Sequence, residues 1–365
     1  MDYNQLSLEK HKEYKGKIAT KSKVPLSKDD LSVYYSPVAA PCLEIAKDPP
    51  LAYDYTWKNN SVAVISDGSA VLLNIGLAGL PVMEGKCILM KEFADLDAVP
   101  IILDTQDPDE IINIVKNIAP TFGAINLEDI APNCFYIEEK LQELTNIPIF
   151  HDDQHGTAIV VLAALINALK VINKEIASLK IIISAAAGTA VANLLRSYGA
   201  KNIICLDSKG PLYPGRDRMN PYKDTLAGYN KDKLTDLSEV IKADLFVLAK
   251  PNILSQEDVK NMNDSPMIFA LSNPDPEISL DDAMAGAAIY AAGRSDVPVQ
   301  INNLIAFPIL RGLIDARIEN VEEKHKLAAA IALAKAVDSP TTKLLLPDSL
   351  DKNIAYVVAE AVKSA

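Results

Sequence analysis

Short apolar runs of strand length recur along the chain, and many of them close on acidic or turn residues. Residues 62–66 (VAVIS) form one such run, closed by Asp67-Gly68, and residues 99–103 form another. Their length and β-branched character predict strands. Residues 80–86 contain Pro81 and Gly85 and read as a turn-rich segment leading into the apolar stretch 87–90. A helix is predicted over 109–118, its start marked by Pro108-Asp109-Glu110. Gly156 precedes a long, largely buried helix over 157–171. From residue 179 the rhythm changes. Strand runs at 180–183, 202–206, 244–249, 267–271 and 288–292 alternate with helical windows such as 189–197 and 234–241. A run rich in Ala, Leu, Glu and Lys predicts a further helix over 321–337. Strands alternating with helices argue for a parallel, doubly wound sheet. The joint between two domains is expected near 150–175, giving domains of 1–155 and 156–365.

Two of these runs end in chemistry. Residues 124–127 lead into Glu128-Asp129, and residues 147–150, with His151, lead into Asp152-Asp153. Both pairs are expected at carboxyl ends of strands, the edge where α/β sheets bind ligands. Four carboxylates gathered there repel one another unless a cation holds them. Oxygen-only ligands point to a hard divalent ion, Mg²⁺ or Mn²⁺, rather than zinc. The alternative is two solvated loop starts that share a composition.

A second signal follows the strand at 180–183. Ser184-Ala185-Ala186-Ala187-Gly188-Thr189-Ala190 opens a helix where a dinucleotide fingerprint belongs. Asp207 closes the next strand, where a carboxylate holds the adenosine ribose hydroxyls and favours NAD. Ser208 and Lys209 follow it and offer a place for the 2′-phosphate of NADP. The glycines of the fingerprint are missing, with Ala185, Ala187 and Ala190 in their places. Glycine is 15 of 365 residues, roughly 4% against a usual ~7%, which fits that loss. An ordinary βαβ unit without a ligand is the alternative.

Composition narrows the partners. A formal net charge of −12 argues against nucleic acid or an anionic membrane. The first seventeen residues are polar and mixed in charge, unlike a signal peptide. The most apolar stretch, 159–169, is interrupted by Asn167 and is too short to cross a bilayer. Cys42, Cys87, Cys134 and Cys205 are spread out with no C-x-x-C pair, as expected of a reduced, cytoplasmic protein without a disulfide frame or zinc site.

A series of motifs in order along the chain then resembles the bacterial malic enzymes. They are Tyr35-Ser36-Pro37 with Pro41-Cys42, 62–71 (VAVISDGSAV), 81–86 (PVMEGK), 122–130 (FGAINLEDI), 150–158 (FHDDQHGTA), 272–278 (SNPDPEI), 293–296 (GRSD) and 300–303 (QINN). The resemblance runs from about residue 20 to about residue 335. It implies an α/β protein with an N-terminal substrate and metal domain, followed by a Rossmann-like, doubly wound NAD(P)-binding domain. It implies oxidative decarboxylation of malate to pyruvate and CO₂ with reduction of NAD, or of NADP.

The resemblance also implies roles for residues. Glu128, Asp129 and Asp153 match the ligands of the divalent ion, and Asp152 stands beside them in the catalytic group. Lys86 matches the lysine that removes the hydroxyl proton. Tyr35 matches the tyrosine that protonates the enol carbon, and its neighbour Tyr34 competes for that role. Asn273, Asn302 and Asn303 match residues near the nicotinamide and the substrate carboxylate, where an amide binds an anion without adding charge. Ala185, Ala187, Gly188, Thr189 and Asp207 fall in the nucleotide-binding segment. A homodimer is the family expectation. Two other readings stay open: an oxaloacetate decarboxylase without redox activity, and a non-catalytic relative that binds malate or a nucleotide.

Overall fold

The computed structural model describes residues 3–365 except 15, 25, 36–38, 72, 73, 132, 185–187, 249–253, 273, 274 and 295. The chain divides into two compact units, residues 1–150 with 313–320, and residues 151–312 with 321–365.

The first unit is built on a sheet of order β2-β1-β3-β4, formed by β1 (Ser61–Ser66), β2 (Asp97–Ile102), β3 (Ala124–Leu127) and β4 (Ile149–His151). β1 pairs in parallel with both neighbours, Val62 lying opposite Ala98 on one side and Ala124 on the other. As an inner strand, β1 is buried at every residue, whereas the edge strand β2 is half-buried throughout. Alternate residues Ala63, Ile65, Ile125 and Leu127 share a core with Ile111, Val115, Ile137 and Leu141 of helices Pro108–Ile118 and Cys134–Leu144. Asp107 caps the first of these helices by accepting from the amides of Asp109 and Glu110.

Residues 80–86 are not a turn. They open the helix Leu80–Ala94, which packs against β1 and β2. Pro81 sits in its first turn, where a missing amide hydrogen costs nothing, and Gly85 is carried within it. Met83, Cys87, Met90 and Ala94 recur at helical spacing and are buried, which outweighs the two turn-forming residues.

The second unit has the sheet order β10-β9-β8-β5-β6-β7. Its strands are β5 (Lys180–Ser184), β6 (Asn202–Asp207), β7 (Gly210–Pro211), β8 (Leu245–Leu248), β9 (Met267–Ala270) and β10 (Ile289–Ala292). All pair in parallel except the short β7, which runs antiparallel to β6. β5 lies between β6 and β8, so the strand order reverses there, at the point where such sheets bind nucleotides. Ile182, Ile204, Phe246, Ile268 and Tyr290 pack on one face with Val240, Val259 and Ala283, while Ile181 and Ile183 of the other face are equally buried. Burial of both faces is the mark of a doubly wound sheet. The fold is α/β with a Rossmann-like second half, as expected.

Two helical windows are shorter than expected and one further helix appears near the end of the chain. The window 234–241 keeps only Leu237–Val240, the run 321–337 becomes Glu323–Lys335, and a helix at Lys352–Lys363 has no counterpart among the expected elements. The buried helix Thr157–Ile172 is as expected. Asn167 within it donates from Nδ2 to the carbonyls of Ala334 (2.9 Å) and Leu345 (2.8 Å), and its Oδ1 accepts from Lys170. A polar residue in this apolar run thus holds two distant segments together. Among the described residues, only the span Asp152–Ile172 is long and apolar enough to cross a membrane, and 72% of its apolar window is buried inside the protein.

Lys58 shows how tightly the first unit is closed. Burial pushes its amine down to about 8, yet it donates to the carbonyls of Phe122 (2.5 Å) and Pro120 (3.0 Å). A Cβ at Gly123 would lie 2.4 Å from the Lys58 carbonyl oxygen. Gly123→Ala is therefore expected to lower stability by about 1–3 kcal/mol, the usual cost of overpacking. A thermal melt measures it, and an unchanged Tm would show that the Lys58 backbone yields freely.

Candidate active site

In the first unit, the site begins where β3 ends. The Glu128 amide donates to Ile65 O at 2.9 Å, which continues the β1–β3 pairing one residue beyond the strand. That hydrogen bond holds the Glu128 side chain inside, where it is only 1% exposed. A carboxylate so buried requires partners. Lys86 approaches Oε1 at 2.8 Å from the helix Leu80–Ala94, and Asn126, two residues back on the same face of β3, donates to Oε2 at 2.9 Å. Asp129 then takes a left-handed backbone, φ 51°, with its carbonyl accepting from Ala70 at 3.0 Å. Aspartate tolerates that conformation better than most residues. The turn brings carboxylate oxygens of Glu128 and Asp129 within 4.8 Å of each other. Cys87, next to Lys86, is not a competing nucleophile. Burial, reinforced by Glu84 and Glu128, pushes its thiol up to about 12.

In the second unit, Asp152–Gly156 forms a single π-helical turn that opens onto the helix Thr157–Ile172. Such turns recur at functional sites because they re-aim side chains within a helix. Asp152 is fully buried and accepts from Asn303 Nδ2 at 2.6 Å. Asp153 is partly exposed, with His151 Nδ1 3.9 Å from its Oδ2. A cavity of about 270 Å³ is lined by Asp153, Thr157, Leu271, Gly293, Ile301, Asn302 and Asn303. Three residues singled out in the sequence, Asp153, Asn302 and Asn303, therefore meet at one small polar space. Asn302 also caps the turn Asn303–Ala306, its Oδ1 accepting from the Leu304 amide at 3.1 Å.

At the nucleotide end, Gly188 and Thr189 open the helix Gly188–Tyr198 directly beyond β5. Asp207 closes β6, but it is not an open carboxylate. It pairs with Arg216 and with Lys223, the latter at 2.8 Å. Ala185, Ala187 and Asn273 lie outside the described residues. Tyr35 follows the helix Asp30–Tyr34 and is 82% exposed.

Sequence reasoning missed several contributors. Asn126 was detectable, since a polar residue in an apolar strand two positions before an acid must share its face. Arg216 and Lys223 were not, because they reach Asp207 from a hairpin and a helix with no spacing signal. Gly156 was read only as the residue that precedes a helix. A Cβ there would lie 2.1 Å from Asp152 Oδ1, so glycine leaves the room that Asp152 occupies.

Residues 15–142 match the malic enzyme N-terminal domain, and residues 154–365 match the malic enzyme NAD binding domain. The chain belongs to the malic enzyme family. It is 47% identical to the bifunctional malic/malolactic enzyme of Bacillus subtilis, over 100% of this chain and 93% of that protein. Against the NAD-dependent malic enzyme of Geobacillus stearothermophilus it is 48% identical, over 96% of this chain and 76% of the relative. With the NADP-dependent malic enzyme of Escherichia coli it shares 47% identity, over 93% of this chain and 47% of the relative. The crystal structure of the Pyrococcus horikoshii malic enzyme superposes with a TM-score of 0.93 at 42% identity, covering 98% of this chain and 90% of that one.

This malic enzyme is an NAD(P)-dependent oxidative decarboxylase of malate. The readings as a redox-inactive oxaloacetate decarboxylase or a non-catalytic relative are not favoured by these relationships. The clearance at Gly156 offers a direct handle on the Asp152 side chain. Gly156→Ala must displace the Asp152 carboxylate, whose other oxygen accepts from Asn303. Turnover of malate is expected to fall on the order of 10²-fold, the cost of displacing an active-site group by about 1 Å. Steady-state kinetics with a circular dichroism spectrum would check this. Wild-type turnover in a folded variant would show that the position of Asp152 does not matter.

Proposed function

We propose that the malate chemistry is carried by Lys86, Tyr35 and Asp152, with Glu128, Asp129 and Asp153 holding a divalent Mg²⁺ or Mn²⁺ ion. The observation that carries this reading is the buried Glu128 carboxylate paired with Lys86 at 2.8 Å. The two acidic pairs directly follow β3 and β4, which are neighbours in one sheet, and their donors are oxygens only, as a hard cation requires. Such an ion, when bound, supplies Lewis acidity toward the C2 oxygen and a carboxylate of malate.

Lys86 takes the C2 hydroxyl proton, and a bound nicotinamide would supply the acceptor for the hydride that leaves C2. The Glu128 carboxylate at 2.8 Å holds the Lys86 amine in position for that transfer. Loss of CO₂ breaks the bond from C3 to its carboxylate and leaves an enolate, whose C3 then takes a proton from the Tyr35 hydroxyl. Asp152, fixed by Asn303, orients the groups around it. Asn302 and Asn303 bind the substrate carboxylate at the cavity they line, and Asn273 with Asn302 serves the nicotinamide. Residues 1–155 are assigned as the substrate and metal domain and 156–365 as the nucleotide domain, with Ala185, Ala187, Gly188 and Thr189 at the pyrophosphate.

The same reading includes a cytoplasmic homodimer. Cys42 is an exposed free thiol, which suits a reducing compartment. None of the helices Tyr3–Tyr14, Ala40–Lys47 and Ala52–Tyr55 buries a residue, and Tyr34, Tyr35 and Leu43 are exposed. This is apolar surface that a second copy would cover.

With malate, Mn²⁺ and NAD or NADP, formation of reduced nicotinamide tests the reaction. Lys86→Met is expected to lower kcat by about 10²–10⁴-fold, with the KM for malate little changed. Asp153→Ala is expected to abolish metal-dependent turnover in a folded protein. Full activity in either variant would move the base or the metal to other residues.

A further inference from the structure

The end of β6 carries charge that the reaction at malate does not use. Asp207 stands where a carboxylate in this topology receives the ribose hydroxyls of NAD. Both of its oxygens are already engaged. Oδ1 accepts from the Lys209 amide at 2.8 Å, and Oδ2 is shared by the Arg216 guanidinium and the Lys223 ammonium. Burial raises the Asp207 carboxyl, but the hydrogen bonds from Arg216, Lys223 and the Lys209 amide outweigh it and hold it well below the usual carboxylate range. The two cations are also fixed from outside the pair. Arg216 Nη1 donates to the carbonyls of Gly210 (3.1 Å) and Pro211 (2.9 Å) at β7. Lys223 lies in the first turn of the helix Pro221–Ala227, which Asn220 caps by accepting from the Lys223 amide at 2.8 Å.

One carboxylate against two cations leaves the cluster at net +1. The Lys223 side chain is 35% exposed and can reach a ligand. We propose that Arg216 and Lys223 form a subsite for the ribose 2′-phosphate, so that this enzyme takes NADP in preference to NAD. The phosphate adds about two negative charges and three acceptor oxygens. The planar guanidinium and the mobile ammonium can serve these together. Asp207 then acts through Arg216, holding the guanidinium in place instead of binding a ribose hydroxyl. For NAD, the hydroxyls would compete with two cations for the same oxygen, with no phosphate to compensate.

The proposal rests on the malate reading only in that both need a nucleotide at this sheet. Titration calorimetry of the full chain with 2′,5′-ADP and with 5′-AMP, in the absence of malate, isolates the subsite. 2′,5′-ADP is expected to bind at least tenfold tighter, with an advantage that shrinks as salt rises. Lys223→Ala should remove most of that advantage and leave 5′-AMP within twofold of wild type, while Lys223→Arg should largely keep it. Equal affinities, no binding of either nucleotide, or equal losses for both in Lys223→Ala would each overturn the proposal. Malate turnover with NAD but not NADP would also overturn it and leave the malate reading intact. Turnover with neither, alongside strong preference for 2′,5′-ADP, would remove the malate reading and keep this one.

Discussion

A buried carboxylate at the end of β3 constrains the first half of this protein more than any other group. Glu128 is held inside by backbone pairing, so its charge cannot be met by water. Removing the partner of a buried charge typically costs about 3–5 kcal/mol. Lys86 and Asn126 meet that demand. The arrangement couples structure to mechanism. The amine that stabilises Glu128 is also the group proposed to take the hydroxyl proton, so one side chain serves two states of the site. The helix Leu80–Ala94 must therefore be rigid, and its four buried residues against the sheet make it so.

The half that carries the two acidic pairs was largely legible in the sequence. Runs of β-branched residues ending in acidic pairs identified β3 and β4 within a residue or two, because strand length and alternation survive in the primary pattern. Lys86 was legible only through the family motif. Local signals placed it after a turn, whereas the helix around it depends on residues as far on as Ala94 packing against the sheet. The π-helical turn at Asp152–Gly156 left no periodic trace, being a single turn whose geometry rests on Gly156 leaving room for Asp152. Long-range hydrogen bonds, such as Asn167 to Leu345, are likewise invisible to any window of the sequence.

The nucleotide half shows a different limit. An acid at the end of β6 reads as a sign of NAD when considered as one residue, because a carboxylate repels a phosphate. A ligand responds to the summed field of the site, not to its most familiar member. Once Arg216 and Lys223 are placed against Asp207, the three side chains sum to a formal +1, and the acid anchors a cation. Both cations lie within 16 residues of Asp207, yet only the hairpin at β7 and the helix that starts at Pro221 turn that stretch of chain back on itself. Charge at a binding site is thus set by topology as much as by residue type. That is why the acidic pairs, which directly follow their strands, could be read from sequence, while the cations gathered at Asp207 required the fold.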